Sequence, residues 1–318
     1  MSKNIIFMFS GQGSQYYHMG NELYNDDLMF RESMNEIDLV VHDLLGYSII
    51  GEIYNTNKKK SENFDRLLYT HIAIYMVEFS LAKSLIYKGV EPEYVIGTSL
   101  GEFVAATIAG VIDKETAIEC VLEQAKLVEE NCTKGGMLAI LHDPQIYYNE
   151  KLIMDNSTIA SINFKNHFVV SGSCENLNLI EKFLKEKKII NQKLPVQYAF
   201  HSKEMTKIKD SYLKFLGTKN FKKPNVKLIS SLYGKVTNAI PNNYFYDLIE
   251  FPIKFTDIVS KIYNDEKCIL MDLGPSGTLS NFIKYNNEIE SSSILSIITP
   301  FGNNLKKSLD ILKIENSI

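Results

Sequence analysis

Tyr94-Val95-Ile96-Gly97-Thr98-Ser99-Leu100-Gly101-Glu102 is the stretch on which the reading of this chain turns. An apolar, strand-like run enters a Gly-x-Ser-x-Gly pattern and leaves it as a helix-like run. That is the pattern of a nucleophile elbow, a strand turning so sharply into a helix that the middle residue takes a strained backbone and its side chain stands exposed. Glycines two places either side leave room for the turn. The pattern points to Ser99 as a nucleophile, with the backbone N–H of Leu100 aimed where an oxyanion would form. Five residues of this type can also arise by chance, so their weight comes from what surrounds them.

The 318 residues, 45% of them apolar, suffice for one substantial core, or for a large core with a smaller satellite domain. A formal net charge of -4 with interspersed Lys and Glu provides no basic stripe and argues against nucleic acid as a partner. The opening apolar run Ile5 to Phe9 is too short for a secretion signal, and no stretch approaches a membrane span. Cys120, Cys132, Cys174 and Cys268 are scattered without Cys-x-x-Cys spacing, which suits a reduced, cytoplasmic chain with free thiols. The six histidines form no His-x-x-x-His pair, so no metal site is expected.

Apolar periodicity predicts helices over Leu28 to Leu45, Phe64 to Lys88 and Lys114 to about Glu130. The second is apolar nearly all round and reads as a buried helix beside a central sheet. From Gly135 the character changes. Strand 137–141, helix 145–154, strands 158–164 and 167–171, helix 175–187 and strand 189–196 form a β-α-β-β-α-β succession, the order of a ferredoxin-like unit. Further strands are expected near 227–231 and 269–272.

Three more segments flank the elbow. Strand-like Ile5 to Phe9 runs into Ser10-Gly11-Gln12-Gly13-Ser14-Gln15, a turn able to present backbone N–H groups. Tyr198-Ala199-Phe200-His201-Ser202 follows about a hundred residues after the elbow, and Asp272-Leu273-Gly274-Pro275-Ser276-Gly277 later still. Together and in this order, these motifs resemble the malonyl-CoA:acyl-carrier-protein transacylase family and the acyltransferase domains of polyketide synthases, over essentially the whole chain. The fold expected is α/β: an α/β-hydrolase-like large domain over residues 1–134 and 197–318, with the ferredoxin-like subdomain, 135–196, inserted.

The resemblance implies roles. Ser99 would be the nucleophile, His201 its base, and the backbone N–H groups of Gln12 and Leu100 the oxyanion hole. The family orients its histidine with a backbone carbonyl, at a position matched here to Lys254 in Phe251-Pro252-Ile253-Lys254-Phe255-Thr256. Asp272 offers a rival, a patatin-like Ser-Asp dyad, which leaves the Gln-Gly-Ser-Gln turn and the Phe-His-Ser motif without a role. Asn163 either lines the acyl pocket or is a plain hairpin residue. An acidic acyl carrier protein is the implied partner, for which Lys185-Glu186-Lys187-Lys188 and Lys219 to Lys223 are candidate contacts, with solvated surface charge as the alternative. Phosphopantetheine would arrive on that carrier or as CoA, so no cofactor of the chain's own is implied, and a monomer is expected.

One departure bears on substrate. Malonyl-specific members carry an arginine on the helix after the elbow, in a Val-x-x-Arg-Gly-like segment that pairs with the malonyl carboxylate. Here Val121-Leu122-Glu123-Gln124-Ala125-Lys126 stands there, with Gln124 in the arginine's place. A buried carboxylate denied its cation costs on the order of 3–5 kcal/mol. Lys126, about 200° around the helix, faces elsewhere. The chain has only two arginines, Arg31 and Arg66, so drift toward lysine is the competing explanation, yet the residue found is glutamine. Thr98 stands where malonyl transferases have histidine, and His71 where they often have glutamine, whereas Phe200 is as in malonyl-type motifs. The pattern, including Met8 to Gly20, is similar to that of the trans-acting acyl hydrolases, acyltransferase homologues that clear stalled acyl groups from carrier proteins. An acyl-carrier-protein thioester hydrolase is therefore expected, with malonyl-CoA:acyl-carrier-protein transacylase as the alternative and a non-catalytic carrier-binding module as a more distant one.

Overall fold

The computed structural model describes residues 3–258, 268–286 and 294–316, the side chains of the last stretch as far as 314. Its principal sheet has six strands, in the order β10-β9-β1-β2-β7-β8. These are β1 (Asn4–Phe9), β2 (Tyr94–Gly97), β7 (Lys227–Ser230), β8 (Lys235–Thr237), β9 (Cys268–Asp272) and β10 (Ile294–Ser296). All neighbours pair parallel except β7 and β8. Strands buried on both faces need continuous apolar runs, and β1 and β9 supply them. Phe9 lies in register with Gly97, so the chain leaves β1 and β2 side by side at the carboxyl edge of the sheet, the usual place for a site in such folds.

Helix Leu67–Tyr87 is buried on nearly every face, packed among helices Leu28–Leu45, Gly101–Ile108 and Lys114–Asn131. Asp27 caps the first of these, its carboxylate accepting from Phe30 N–H at 2.9 Å, and Gly46 ends it in a left-handed conformation. Among the described residues, no helix is long and apolar enough to cross a membrane.

The second sheet is antiparallel, in the order β4-β5-β3-β6. Its strands are β3 (Gly135–Ile140), β4 (Thr158–Phe164), β5 (His167–Ser173) and β6 (Asn191–Lys193). With helix Cys174–Glu186 before β6 and short helices between β3 and β4, it has the strand order of a ferredoxin-like unit, so the fold is the expected large α/β part with a smaller α+β one. Period-two alternation divides β3 between two cores. Leu138 and Ile140 pack with the unit's own helices, while Met137 and Ala139 join the core of the large part.

Two elements differ from expectation. The helix expected over 145–154 is broken at Glu150, whose backbone is extended, into Gln145–Asn149 and Lys151–Asn156. The strand expected over 189–196 narrows to Asn191–Lys193. It lies at a sheet edge, and Pro195 has no N–H with which to continue the ladder.

Candidate active site

The elbow has the geometry its sequence requires. Ser99 sits at φ 53, in the left-handed region, at the end of β2. The turn forces close approach to β1: a Cβ on Gly101 would lie 2.3 Å from the Phe9 carbonyl oxygen, so no larger residue fits. The loop after β1 closes over it, for a Cβ on Gly11 would lie 2.7 Å from Thr98 O and 3.5 Å from Leu100 N. Four hydrogen bonds stiffen this loop. Ser14 Oγ donates to Gly11 O at 2.8 Å, Gly13 N–H to Gln15 Oε1 at 2.7 Å, and Gln15 Nε2 reaches the carbonyls of Phe64 and Pro195. Gln12 Nε2 donates to Thr70 Oγ1 at 2.8 Å. Among the described residues, neither Gln12 N–H nor Leu100 N–H is engaged by a carbonyl or side-chain acceptor, and both residues line the cavity that holds Ser99.

His201 comes from the segment following the small unit. Its Nε2 is 3.1 Å from Ser99 Oγ, and its Nδ1 is 2.9 Å from the carbonyl oxygen of Phe251. A carbonyl can only accept, so Nδ1 carries the proton and Nε2 is left as acceptor for the serine hydroxyl. The orienting carbonyl is thus that of Phe251 and not that of Lys254. Helix Tyr244–Glu250 ends at Phe251, where the backbone turns extended toward His201, whereas Lys254 is drawn away by its N–H bond to Ser231 O at 2.8 Å. Burial holds the imidazole down to about 4, against the raising effect of bonds from Phe251 and Leu248, so it is neutral near pH 7. The His201 backbone is itself left-handed, at φ 60, and its N–H donates to Ile249 O at 2.7 Å. Ser171 Oγ donates to Phe200 O and Ser202 Oγ to Ala199 O, fixing the segment on both sides.

Asp272 is elsewhere occupied. Its carboxyl accepts from Gly274 N–H at 2.9 Å and Ser280 N–H at 2.7 Å, tying β9 to helix Thr278–Lys284. Burial raises it to about 6. Ser99 pairs with His201 instead, so the patatin-like dyad has no geometric support.

A cavity of about 270 Å³ between the two sheets holds Ser99 and His201 together with Gln12, Leu100, Thr98, His71, Gln124, Asn163 and Phe200. The expected site residues other than Lys254 therefore meet in one place. Gln124 is buried and donates through Nε2 to Tyr212 OH at 3.3 Å, while that hydroxyl donates to Cys120 O at 3.0 Å. Burial lowers His71 to about 3, leaving a neutral ring 5.6 Å from that of Phe200. Asn163 Nδ2 is 3.0 Å from His167 Nδ1 and depresses nothing by charge; burial lowers His167. Among the described residues, no Lys or Arg lines this cavity. The lysine-rich stretches lie outside it, with Lys185, Lys187 and Lys219 beside Glu181, Glu150 and Glu119. Among the described residues no cluster of His, Cys, Asp and Glu could hold a metal ion.

Sequence reasoning missed Glu102, which is fully buried beside the elbow. Its Oε1 accepts from Ser231 N–H at 2.6 Å and Ser231 Oγ at 2.8 Å, and its Oε2 lies 3.0 Å from Tyr244 OH. The signal was there: Glu102 is the one charge between Gly101 and Ile112, an otherwise uncharged and mostly apolar run.

A serine paired with a neutral imidazole, beside two uncommitted N–H groups, can form an ester with an incoming acyl group and release it again, which is the chemistry of acyl transfer. The chain belongs to the acyl transferase domain family, whose model it matches over residues 6–304. It is 44% identical over 307 residues, covering 96% of this chain and 95% of the relative, to the polyketide biosynthesis acyltransferase homolog PksD of Bacillus subtilis (strain 168). It is 42% identical over 319 residues, covering 100% of this chain and 98% of the relative, to the homolog BaeD of Bacillus velezensis. In fold it is similar to the malonyl CoA-acyl carrier protein transacylase from Clostridium perfringens, with a TM-score of 0.81 at 23% identity over 98% of each chain.

Proposed function

We propose that this protein is an acyl-carrier-protein thioester hydrolase of polyketide biosynthesis, acting through an acyl-serine intermediate. Ser99 Oγ attacks the thioester carbonyl while His201 Nε2 takes its proton, and the N–H groups of Gln12 and Leu100 receive the developing oxyanion. His201 returns the proton to the departing phosphopantetheine thiol, then activates a water that attacks the acyl-serine. Free carboxylic acid leaves and the serine is restored. The carrier protein supplies the phosphopantetheine arm, and the chain needs no cofactor of its own for these steps.

The observation that carries this reading is the neutrality of the cavity. Gln124 stands where a malonyl transferase would hold arginine, its amide already bonded to Tyr212, and no described lining residue is Lys or Arg. A second carboxylate would enter without a partner, whereas an acetyl or longer neutral acyl group would not suffer that cost. Malonyl transfer onto a carrier protein is the second reading, favoured by Phe200 in its malonyl-type position.

Acetyl-loaded and malonyl-loaded carrier proteins, each incubated with and without a second carrier as acceptor and followed by intact-mass spectrometry, separate the two. Hydrolysis of acetyl-carrier to free acid without an acceptor is the expected result. Rapid malonyl loading with delivery to the acceptor would return the chain to malonyl transfer.

A further inference from the structure

Glu102 belongs to helix Gly101–Ile108, which begins at the elbow, and is fully buried. Through Oε2 it meets Tyr244, the first residue of helix Tyr244–Glu250. The far end of that second helix grips His201 twice: Ile249 O takes its backbone N–H and Phe251 O its Nδ1–H. Through Oε1 the same carboxyl takes Ser231 N–H and Oγ–H, and Ser231 O in turn accepts from Lys254 N–H just past Phe251. Ser99, Glu102, Tyr244, Phe251 and His201 thus form a closed circuit whose last link is the 3.1 Å contact between His201 Nε2 and Ser99 Oγ.

On the basis of the acyl-serine reading above, we infer that Glu102 is a positioning residue for the Ser99–His201 pair, joining the helix that carries the serine to the helix whose carbonyls hold the histidine. It touches neither substrate nor reacting atoms. Its chemistry suits a joint. Burial raises the carboxyl to about 7, and the titratable groups facing it are Tyr244 and Tyr233. Tyr244 OH donates to the carboxylate Oε2 at 3.0 Å and lies 2.7 Å from Ser230 Oγ; in the neutral acid the first bond reverses, Oε2–H donating to the Tyr244 oxygen while the tyrosine proton goes to Ser230 Oγ. A glutamine amide at this place reproduces the same pattern of donors and acceptors: the carbonyl oxygen for Ser231, the N–H for Tyr244. Alanine removes both halves of the joint.

Phosphonylation of Ser99 by an alkyl fluorophosphonate, timed by intact mass on the full-length protein, tests this without reference to the natural acyl group. Glu102→Ala should react about 100-fold more slowly, the cost of displacing reacting groups by around an ångström, whereas Glu102→Gln should stay close to the wild-type rate. Tyr244→Phe, which leaves Glu102 in place but cuts the joint, should also be slowed. The decisive arm is a second series in a His201→Ala background, where neither Glu102→Ala nor Tyr244→Phe should slow the residual reaction further. A merely structural role would lower the rate in both backgrounds. Equal slowing in both, or a wild-type rate for a folded Glu102→Ala, overturns the inference; if Glu102→Ala does not fold, Tyr244→Phe decides in the same way. Wild-type Ser99 inert to the reagent would instead overturn the acyl-serine reading.

Discussion

Gln124 Nε2 lies 3.3 Å from the hydroxyl of Tyr212, which is itself committed to the carbonyl of Cys120. The position at which the sequence motif would lead one to expect a malonyl transferase's arginine is therefore part of a neutral, internally bonded wall. Burial raises the Tyr212 hydroxyl well above its ordinary range, so the wall carries no charge at any working pH.

Gln124→Arg should shift preference toward malonyl. A restored guanidinium paired with the malonyl carboxylate would contribute roughly 1.5–3 kcal/mol, about a ten- to hundredfold gain in kcat/KM for malonyl over acetyl. Thr98 and His71 should keep the gain below the full value. Comparing kcat/KM for both thioesters in both proteins checks this, and an unchanged ratio would show that position 124 does not meet the acyl end.

Ser99→Ala should abolish acylation and turnover together, and wild-type protein exposed to an acyl thioester should show one adduct, on Ser99. Cys120 and Cys268 are buried, and burial pushes Cys120 up to about 12 and half-buried Cys132 up to about 11, which leaves exposed Cys174 as the accessible thiol rival. Peptide mapping that placed the acyl group on a cysteine would end the assignment.

His201→Ala should lower turnover by about 10²–10⁴-fold with the fold intact. Asp272→Asn should act on stability instead. An amide there must turn its NH₂ toward the N–H of Gly274 or Ser280, leaving a buried donor unpaired at a cost of about 1–3 kcal/mol. Melting temperature and turnover, measured on both variants, should move in opposite proportions. Equal loss of turnover in a folded Asp272→Asn would revive the Ser-Asp dyad.

The leading sequence motifs foretold their geometry because each has a local steric cause. Gly101 must be glycine because Phe9 O lies against it, and the capping Asp27 and terminal Gly46 bracket helix Leu28–Leu45 at the bounds its apolar spacing predicts. The orienting carbonyl was misplaced by three residues for the complementary reason: a carbonyl belongs to every residue and leaves no mark in the side-chain sequence. Whether Phe251 or Lys254 faces His201 depends on where helix Tyr244–Glu250 ends. The break at Glu150 was hidden in the same way, inside a run whose apolar spacing looks continuous.

Stability should carry two opposing pH dependences. Buried Glu102 and Asp272 keep their protons up to about 7 and about 6, while in the unfolded chain both ionise near pH 4. Their contribution is complete below about pH 4 and lost as pH rises through those folded values. His201 and His71, held down to about 4 and about 3, contribute fully above the unfolded value near 6.5 and lose it as pH falls. Glu102→Gln removes one of the first pair, so its melting temperature relative to wild type should climb as pH is raised from about 5 to about 8. A difference independent of pH would mean that Glu102 ionises in the fold as it does in the unfolded chain.

The left-handed backbones of Ser99 and His201 have a further consequence. Both conformations are ones that glycine adopts freely and other residues adopt at a cost of order 1–3 kcal/mol. With His18 and Lys188 they are the described non-glycine residues in that region, and these two face each other across the Ser99–His201 contact, held there against the backbone's own preference. A descendant of this chain released from chemistry would become more robust by exchanging either for glycine, and a screen for thermal tolerance alone would drive it toward inactivity at these two sites.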